Sequence, residues 1–250
     1  TTLVPLRAVD VVRSIDRPDL EAQASAAFRE RWPEFIFHDP ISNAHIATVE
    51  RYFPDWDVWL VADDRVIAGG WGVPLRWDGT VKDLPDGYDG SLVRSVKGHE
   101  AGDLANTLCL MAAAVAADAN RKGLAGEVVR ELRDRAVAGG LGRVIAPVRP
   151  TLKHLYPLVP MIRFATWRRS DGSAFDPWVR THERLGAQVL GVASRSMVVQ
   201  GTISEWETWT GMAFPESGRY VVPDALGLVE IDRESDQGEY VEENLWMRHL

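Results

Sequence analysis

Asn120-Arg121-Lys122-Gly123-Leu124-Ala125-Gly126 follows the apolar run Leu108 to Val115 and leads into an amphipathic stretch, Glu127 to Ala138. A strand that ends in a Gly-containing turn and opens a helix aims several free main-chain N–H groups at one point, where the helix dipole adds partial positive charge. Gly123 permits a positive φ or a close main-chain approach, and the small Ala125 and Gly126 leave the helix start uncrowded. The pattern suits an anionic ligand, and it also suits an ordinary strand-to-helix connection. The G-x-G-x-x-G fingerprint of dinucleotide folds is absent, and so is the Gly-Lys-Ser/Thr of the triphosphate loop.

The remaining chain supplies the frame around this stretch. With 250 residues, 46% hydrophobic and 26% charged, it is long enough to bury one sizeable core. Asp57 to Ala62 and Val66 to Val73 are β-rich runs separated by Asp63-Asp64-Arg65, which predicts a hairpin. Leu104 to Ala116 reads as the central strand and Arg143 to Val148 as the next, with Pro147 and Pro150 suiting an edge or a bulge. Pro5 to Val12 is a first strand candidate, and Gln188 to Val199 a later one.

Helices are predicted after Asp16-Arg17-Pro18, with Leu20, Ala24, Ala27 and Phe28 on one face, and after Asp39-Pro40, with Ile41, Ile46, Val49 and Phe53 inward. Glu127 to Ala138 buries Val128, Val129, Leu132 and Ala136, pairs Glu131 with Arg135 and stops at Gly139-Gly140. Asp176-Pro177 starts a helix that runs over Trp178 to Leu185 and ends at Gly186. Ser204-Glu205-Trp206-Glu207 reads as a capping box for a short helix, before a strand-like Tyr220 to Ile231 and a tail ending near Trp246. Trp77 to Asn106, rich in Gly and Asp, reads as a long disordered or functional flap, and Pro150 to Ala174 as an irregular insertion near the acceptor site.

Composition narrows the function classes. Net charge of -8 argues against nucleic acid or anionic membranes as the principal partner. The single cysteine, Cys109, excludes an intrachain disulfide and sits where a buried inert thiol is expected. The six His are scattered without metal-ligand spacing, so no metal is expected. No run of about 18 apolar residues is present, and Thr1 to Asp10 lacks a secretory layout. These features predict a cytoplasmic protein, monomer or homodimer.

The stretch resembles the acyl-CoA signature of the GNAT superfamily of N-acyltransferases, in which Arg or Gln, two residues, Gly, one residue and Gly or Ala follow a strand. Asn120 takes the Arg/Gln place, Gly123 the first Gly, Ala125 the last position, and Val115 stands at the strand's close. A second resemblance is His182-Glu183-Arg184-Leu185-Gly186, where the family often has Tyr, three residues and Gly. The resemblance spans Pro5 to Val199 and implies an α/β (α+β) GNAT-like fold: a mixed, mostly antiparallel sheet with a splayed central strand pair, flanked by helices. It places a GNAT-like domain at 1–201, with insertions near 77–106 and 150–174, and a C-terminal extension, 202–250, packed on the same domain.

The activity implied is direct acyl transfer, most simply acetyl, from acyl-CoA to a small primary amine. Main-chain amides of Asn120, Arg121, Lys122, Gly123, Leu124, Ala125 and Gly126 would bind the diphosphate, with the Arg121 and Lys122 side chains either adding charge or standing as a solvated pair. Main-chain donors around Ala113, Ala114 and Val115 would serve the developing oxyanion. His182 stands where the family's Tyr protonates the leaving sulfur, and it also reads as a core histidine on the inward helix face. The carboxylate that some members carry on the central strand falls on Met111, which leaves His99, Glu100, Asp103 or water as candidate bases. Trp71, Trp77, Trp167 and Trp178 fall in segments that could border the acceptor cleft. Alternatives that retain the loop are a noncatalytic acyl-CoA-binding module and a GNAT-like acyl-CoA decarboxylase or hydrolase.

Overall fold

In the computed structural model, which describes residues 9–119 and 122–250, the β-rich runs pair with their sequence neighbours before any longer connection is made. Strands β2 (Asp57–Ala62) and β3 (Arg65–Leu75) form the expected hairpin. Its two-residue turn holds Asp63 and Asp64 at φ 53° and 56°, the doubly left-handed form that matches strand twist and that Asp tolerates. β1 (Asp10–Arg13) flanks β2, and β4 (Thr107–Val115) flanks β3, all antiparallel. Pro5 to Ala8, the start of the expected first strand, lie outside the described residues.

The sheet continues through β5 (Arg143–Val148), which runs parallel to β4, and then β9 (Gln237–Arg248), β8 (Leu228–Asp232) and β7 (Gly218–Val221). β6 (Gln188–Gly201) pairs with the opposite edge of β9 along almost its whole length. Residues 202–250 thus supply β9, which holds β5 and β8 on one edge and β6 on the other.

The central pair parts early. β4 and β5 pair only at Thr107/Arg143, Leu108/Val144 and Cys109/Ile145. Beyond Cys109, β4 follows β3 while β5 follows β9. The register with β3 skips Met111, since Leu110 faces Gly72 and Ala112 faces Trp71, and such a bulge bends its strand and raises local twist. The splay that the resemblance implies is found at the proline-bearing β5.

Helices cover both faces. α4 (Leu124–Ala138) buries Val128, Val129, Leu132 and Ala136 against Val58, Leu60, Ala68 and Leu108. α1 (Glu21–Arg29) lies over Trp59, Val61 and Val66 on the other face. Beside it, α2 (Pro40–Tyr52) and α3 (Gly87–Ala101) cover Val73, Leu75, Cys109 and Met111. Asp39 caps α2 by accepting from the N–H groups of Ile41 and Ser42 at 3.0 and 3.1 Å. Val49 and Phe53 are the buried part of its predicted stripe, with Ile41 and Ile46 only partly covered.

Three expectations are corrected. The segment 77–106 is not a flap: it carries α3, whose Leu92 and Val96 are buried while Gly102, at φ 75°, ends it. Its glycines disguised it, and one is required there, because a Cβ on Gly87 would lie 2.2 Å from the Cα of Ser196. The capping box belongs to Thr202 and Glu205, two residues earlier than read, and starts α7 (Ile203–Thr210). The region 150–174, with short α5 (Met161–Phe164), gathers Tyr156, Phe164, Trp167 and Phe175 into an aromatic cluster against the α4-side core.

Candidate functional site

Where β4 and β5 diverge, a cavity of about 520 Å³ passes between the two faces of the sheet. Its β-sheet lining is Gly69, Gly70 and Ala112 to Ala114 on one side of the gap and Ala146 to Val148 on the other. The glycines are dictated by helix packing. A Cβ on Gly69 would meet Phe28 Cζ of α1 at 2.6 Å, and one on Gly70 would meet Val128 Cγ1 of α4 at 2.6 Å.

One end of the cavity is walled by Val129 and Leu132 of α4 and by Trp178 and His182 of α6 (Pro177–Arg184). Asp176 caps α6 through the N–H groups of Trp178 and Val179, and Gly186, at φ 90°, lets the chain leave. That fixes His182 on the inward face, 2% exposed, with its ring set edge-on to Trp178 at 4.4 Å. His182 Nδ1 lies 2.8 Å from Nε2 of His249, while His182 Nε2 has no protein partner. Burial, reinforced by His249, pushes the His182 imidazole down to about 3, so the ring is neutral at physiological pH. His182 is a buried histidine, bonded to a second ring and not to a carbonyl, and it is among the residues that line the cavity.

The other end is acidic. Glu21 of α1, Glu50 of α2 and Asp57 of β2 line it, together with Phe28, Trp32, Trp59 and Trp71. Asp57 and Ala112 both sit opposite Trp71, so the three form one row across β2, β3 and β4 and present their side chains to the same face. Burial, together with repulsion from Glu50 and Glu21, pushes the Asp57 carboxyl up to about 6 against its hydrogen bonds with Ser14 and Trp59. Burial and Glu21 also raise Glu50. Sequence reasoning missed all three carboxylates, because they come from three elements with no fixed spacing.

Beneath this end, Arg149 bonds Glu242 through Nε at 2.9 Å, and Glu242 is 2% exposed. Tyr240 donates to the same carboxylate at 2.9 Å, and the Asn244 amide donates to its other oxygen at 3.0 Å.

Of the residues singled out from sequence, Ala113, Ala114 and His182 line the cavity, whereas Val115 does not. On the side toward β5, Leu110 to Val115 have no strand partner. Lys122, Gly123, Leu124, Ala125 and Gly126 lie apart from the cavity, and Asn120 and Arg121 fall outside the described residues. Gly123 precedes α4 at φ 88°, a Cβ there would meet nothing within 4 Å, and as a glycine it offers the helix no capping side chain. α6 passes close by, with Thr181 Cγ2 3.5 Å from a Cβ built on Gly126. The N-terminal turn of a helix of this length favours an anion.

The other candidates are placed elsewhere. His99 packs on Tyr52 at 4.3 Å, Glu100 accepts from the Tyr52 hydroxyl at 3.2 Å, and Asp103 follows the end of α3; none lines the cavity. Trp71 and Trp178 border it, while Trp77 is fully buried in the core and Trp167 belongs to the 150–174 cluster, which also stays clear of the cavity. Cys109 is buried, its thiol pushed up to about 12 by desolvation. Among the described residues no group of three or more His, Cys, Asp or Glu could hold a metal ion, and no helix is long and apolar enough to cross a membrane.

Comparison with known proteins agrees with this geometry. No family model matches the chain. It is 30% identical over 247 residues to the arginine N-acetyltransferase avaD of Aspergillus versicolor, covering 87% of this chain and 84% of that protein. Among solved structures, the loading GNATL domain of CurA from Lyngbya majuscula superposes with a TM-score of 0.56 at 13% identity, over 94% of this chain and 98% of that one. The GphF GNAT-like decarboxylase in complex with isobutyryl-CoA gives a TM-score of 0.55 at 13% identity, over 97% and 98%. These two share the fold: a mostly antiparallel sheet, open at one strand pair and flanked by helices. With that fold and that relative, the chain belongs to the GNAT superfamily of acyl-CoA-dependent N-acyltransferases.

Proposed function

We propose that the enzyme moves an acyl group, acetyl in the simplest case, from acyl-CoA to a small primary amine that carries a second positive charge, as an arginine-like acceptor does. The observation that carries this reading is a cavity joining both faces of the sheet at the β4/β5 gap, with His182 at one end and Glu21, Glu50 and Asp57 at the other. The donor enters from the α4/α6 side. Its diphosphate rests on the first turn of α4 and the free edge of β4 runs beside its thioester arm. The acceptor enters from the α1/α2 side, where three carboxylates favour a cation. The relative named for arginine N-acetylation supports an acceptor of that charge.

Attack by the amine forms the C–N bond and expels the thiolate of CoA. A bound ammonium must first lose a proton, and Asp57, raised to about 6, is suited to receive it. Main-chain N–H groups around Ala113 to Val115 stabilise the oxyanion. His182 serves the leaving sulfur in the form that burial permits, a neutral imidazole in place of an imidazolium. The proton that finally neutralises the thiolate originates on the amine.

The test is amine-dependent thiol release from acetyl-CoA with a panel of arginine, agmatine, a monoamine without a second charge and no amine, with the acylated product identified by mass spectrometry. Release should be fastest with the acceptors that carry a second cationic group. Equal release without amine would replace the proposal with hydrolysis.

A further inference from the structure

We infer that Arg149 is a specificity residue that takes the carboxylate of the acceptor, so that the substrate is a cationic α-amino acid and not the amine left when that carboxyl group is lost. The inference rests on the reading of the acidic end of the cavity as the acceptor's. Arg149 directly follows β5, whose residues Ala146 to Val148 form one lip of the gap, and Pro150 after it biases its backbone toward the extended form. The guanidinium stands 5.7 Å from the ring of Trp32, which lines the same end.

Two arginines line the cavity, and they differ in setting. Arg29 bonds Glu34 at 2.9 Å in an exposed pair. Arg149 is held inside, its side chain 16% exposed. A guanidinium carries five N–H donors in a planar fork. Arg149 spends Nε on Glu242, at 2.9 and 3.1 Å, and Nη2 on Asp224 O at 2.7 Å, while its Nη1 bonds no described residue. Glu242 is itself pinned, because Tyr240 and Asn244 donate to its two oxygens at 2.9 and 3.0 Å. The fork is thus clamped on one side, and its Nη1 side is left for a ligand.

The surroundings decide what that ligand is. A simple anion would face Glu21, Glu50 and Asp57, which line the same end and repel it. A molecule with both signs of charge satisfies the whole wall. In an α-amino acid the amine lies two bonds from the carboxyl carbon, so a carboxylate seated on Arg149, at the lip of the gap, holds the amine beside the opening between β4 and β5. A cationic side chain then extends toward the three acids.

Arginine and agmatine differ only by that carboxylate, so the ratio of their kcat/KM values reads the contact within one sample, whatever its folded fraction. The unaltered enzyme should prefer arginine by about 10–100-fold, the effect of one charge-assisted contact. In Arg149→Met combined with Glu242→Gln, which removes the guanidinium without stranding the acid, the ratio should fall to within about twofold, through a loss on arginine. Arg149→Lys, which keeps the charge but not the fork, should lie between the two. Equal use of arginine and agmatine by the unaltered enzyme, or a preference that survives in the double variant, would overturn the inference. So would amine-independent consumption of malonyl-CoA that is lost in the double variant, since the guanidinium would then serve a carboxylated acyl group. Turnover of neither acceptor would instead remove the proposed function on which the inference rests.

Discussion

Asp89 and Asp39 set two buried carboxyl groups against each other where the N-terminal turns of α2 and α3 converge, with Asp89 Oδ1 left without a hydrogen-bond partner. Asp39 is committed to capping α2, and Asp89 accepts from Val198 N–H at 3.1 Å. One proton must be shared between them. Burial, with the charge of Asp39 added, holds the Asp89 carboxyl well above the usual carboxylate range. The folded state therefore binds a proton that the unfolded chain releases near pH 4, and stability falls as pH rises from there through the raised value, about 8. Asp89→Asn keeps the acceptor for Val198 N–H and removes the second carboxyl, its amide offering Asp39 a donor without the proton. Thermal unfolding from pH 5 to 9 should show a higher Tm for the variant at pH 8 and a flatter pH dependence.

Asp57 gives the catalytic counterpart. As the acceptor of the ammonium proton it must be ionised, so kcat/KM should climb with pH through about 6. In Asp57→Asn that limb should vanish and activity drop about 10²-fold, with acetyl-CoA binding by calorimetry unchanged. Loss of acetyl-CoA binding instead would make Asp57 structural.

Glu50→Gln should raise KM about fivefold for an acceptor with a second cationic group and leave a monoamine within twofold, since one partly screened ion pair contributes about 1 kcal/mol. Steady-state kinetics with both acceptors decides it. An equal rise for both would remove the acidic wall from acceptor recognition.

Gly123→Ala has room for its methyl, because nothing lies within 4 Å of a Cβ there, but φ is 88°. Holding alanine in that region costs about 1–2 kcal/mol, so the turn should relax and KM for acetyl-CoA should rise, with kcat nearly constant. Calorimetric affinity should fall in parallel.

Arg149→Met would strand the Glu242 carboxylate, which is 2% exposed. Breaking such a pair costs about 3–5 kcal/mol, visible as a Tm lower by about 2–4 °C per kcal/mol. Adding Glu242→Gln should recover much of the loss.

Much of this molecule can be read from its residues wherever local rules decide. The Asp63-Asp64 turn, the Asp39 and Asp176 caps, the stripe of α4 and the β4 run all follow from spacing and turn chemistry. α3 escaped because Gly87, Gly90 and Gly98 lower its propensity, yet the close approach of Gly87 to Ser196 requires a glycine. β9 escaped because Tyr240, Glu242 and Asn244 occupy buried positions where apolar residues are expected, and their partners, Arg149 and Ser196, lie at least 48 residues away. For the candidate site, motif spacing names His182, Ala113 and Ala114, which line the cavity, and a signature loop that does not. Arg149 and the three carboxylates carry no such signal, since only the completed sheet brings them to one cavity.

The early parting of β4 from β5 has a thermodynamic corollary. Main-chain groups from Leu110 to Val115 stand along an open margin inside the body of the protein, where hydrogen-bonding capacity is seldom left unspent. Under the proposed function, the amide-bearing arm of the donor supplies the rung that polypeptide withholds. Loading it should tighten the whole molecule, so that readiness to react and resistance to melting increase together as the enzyme fills.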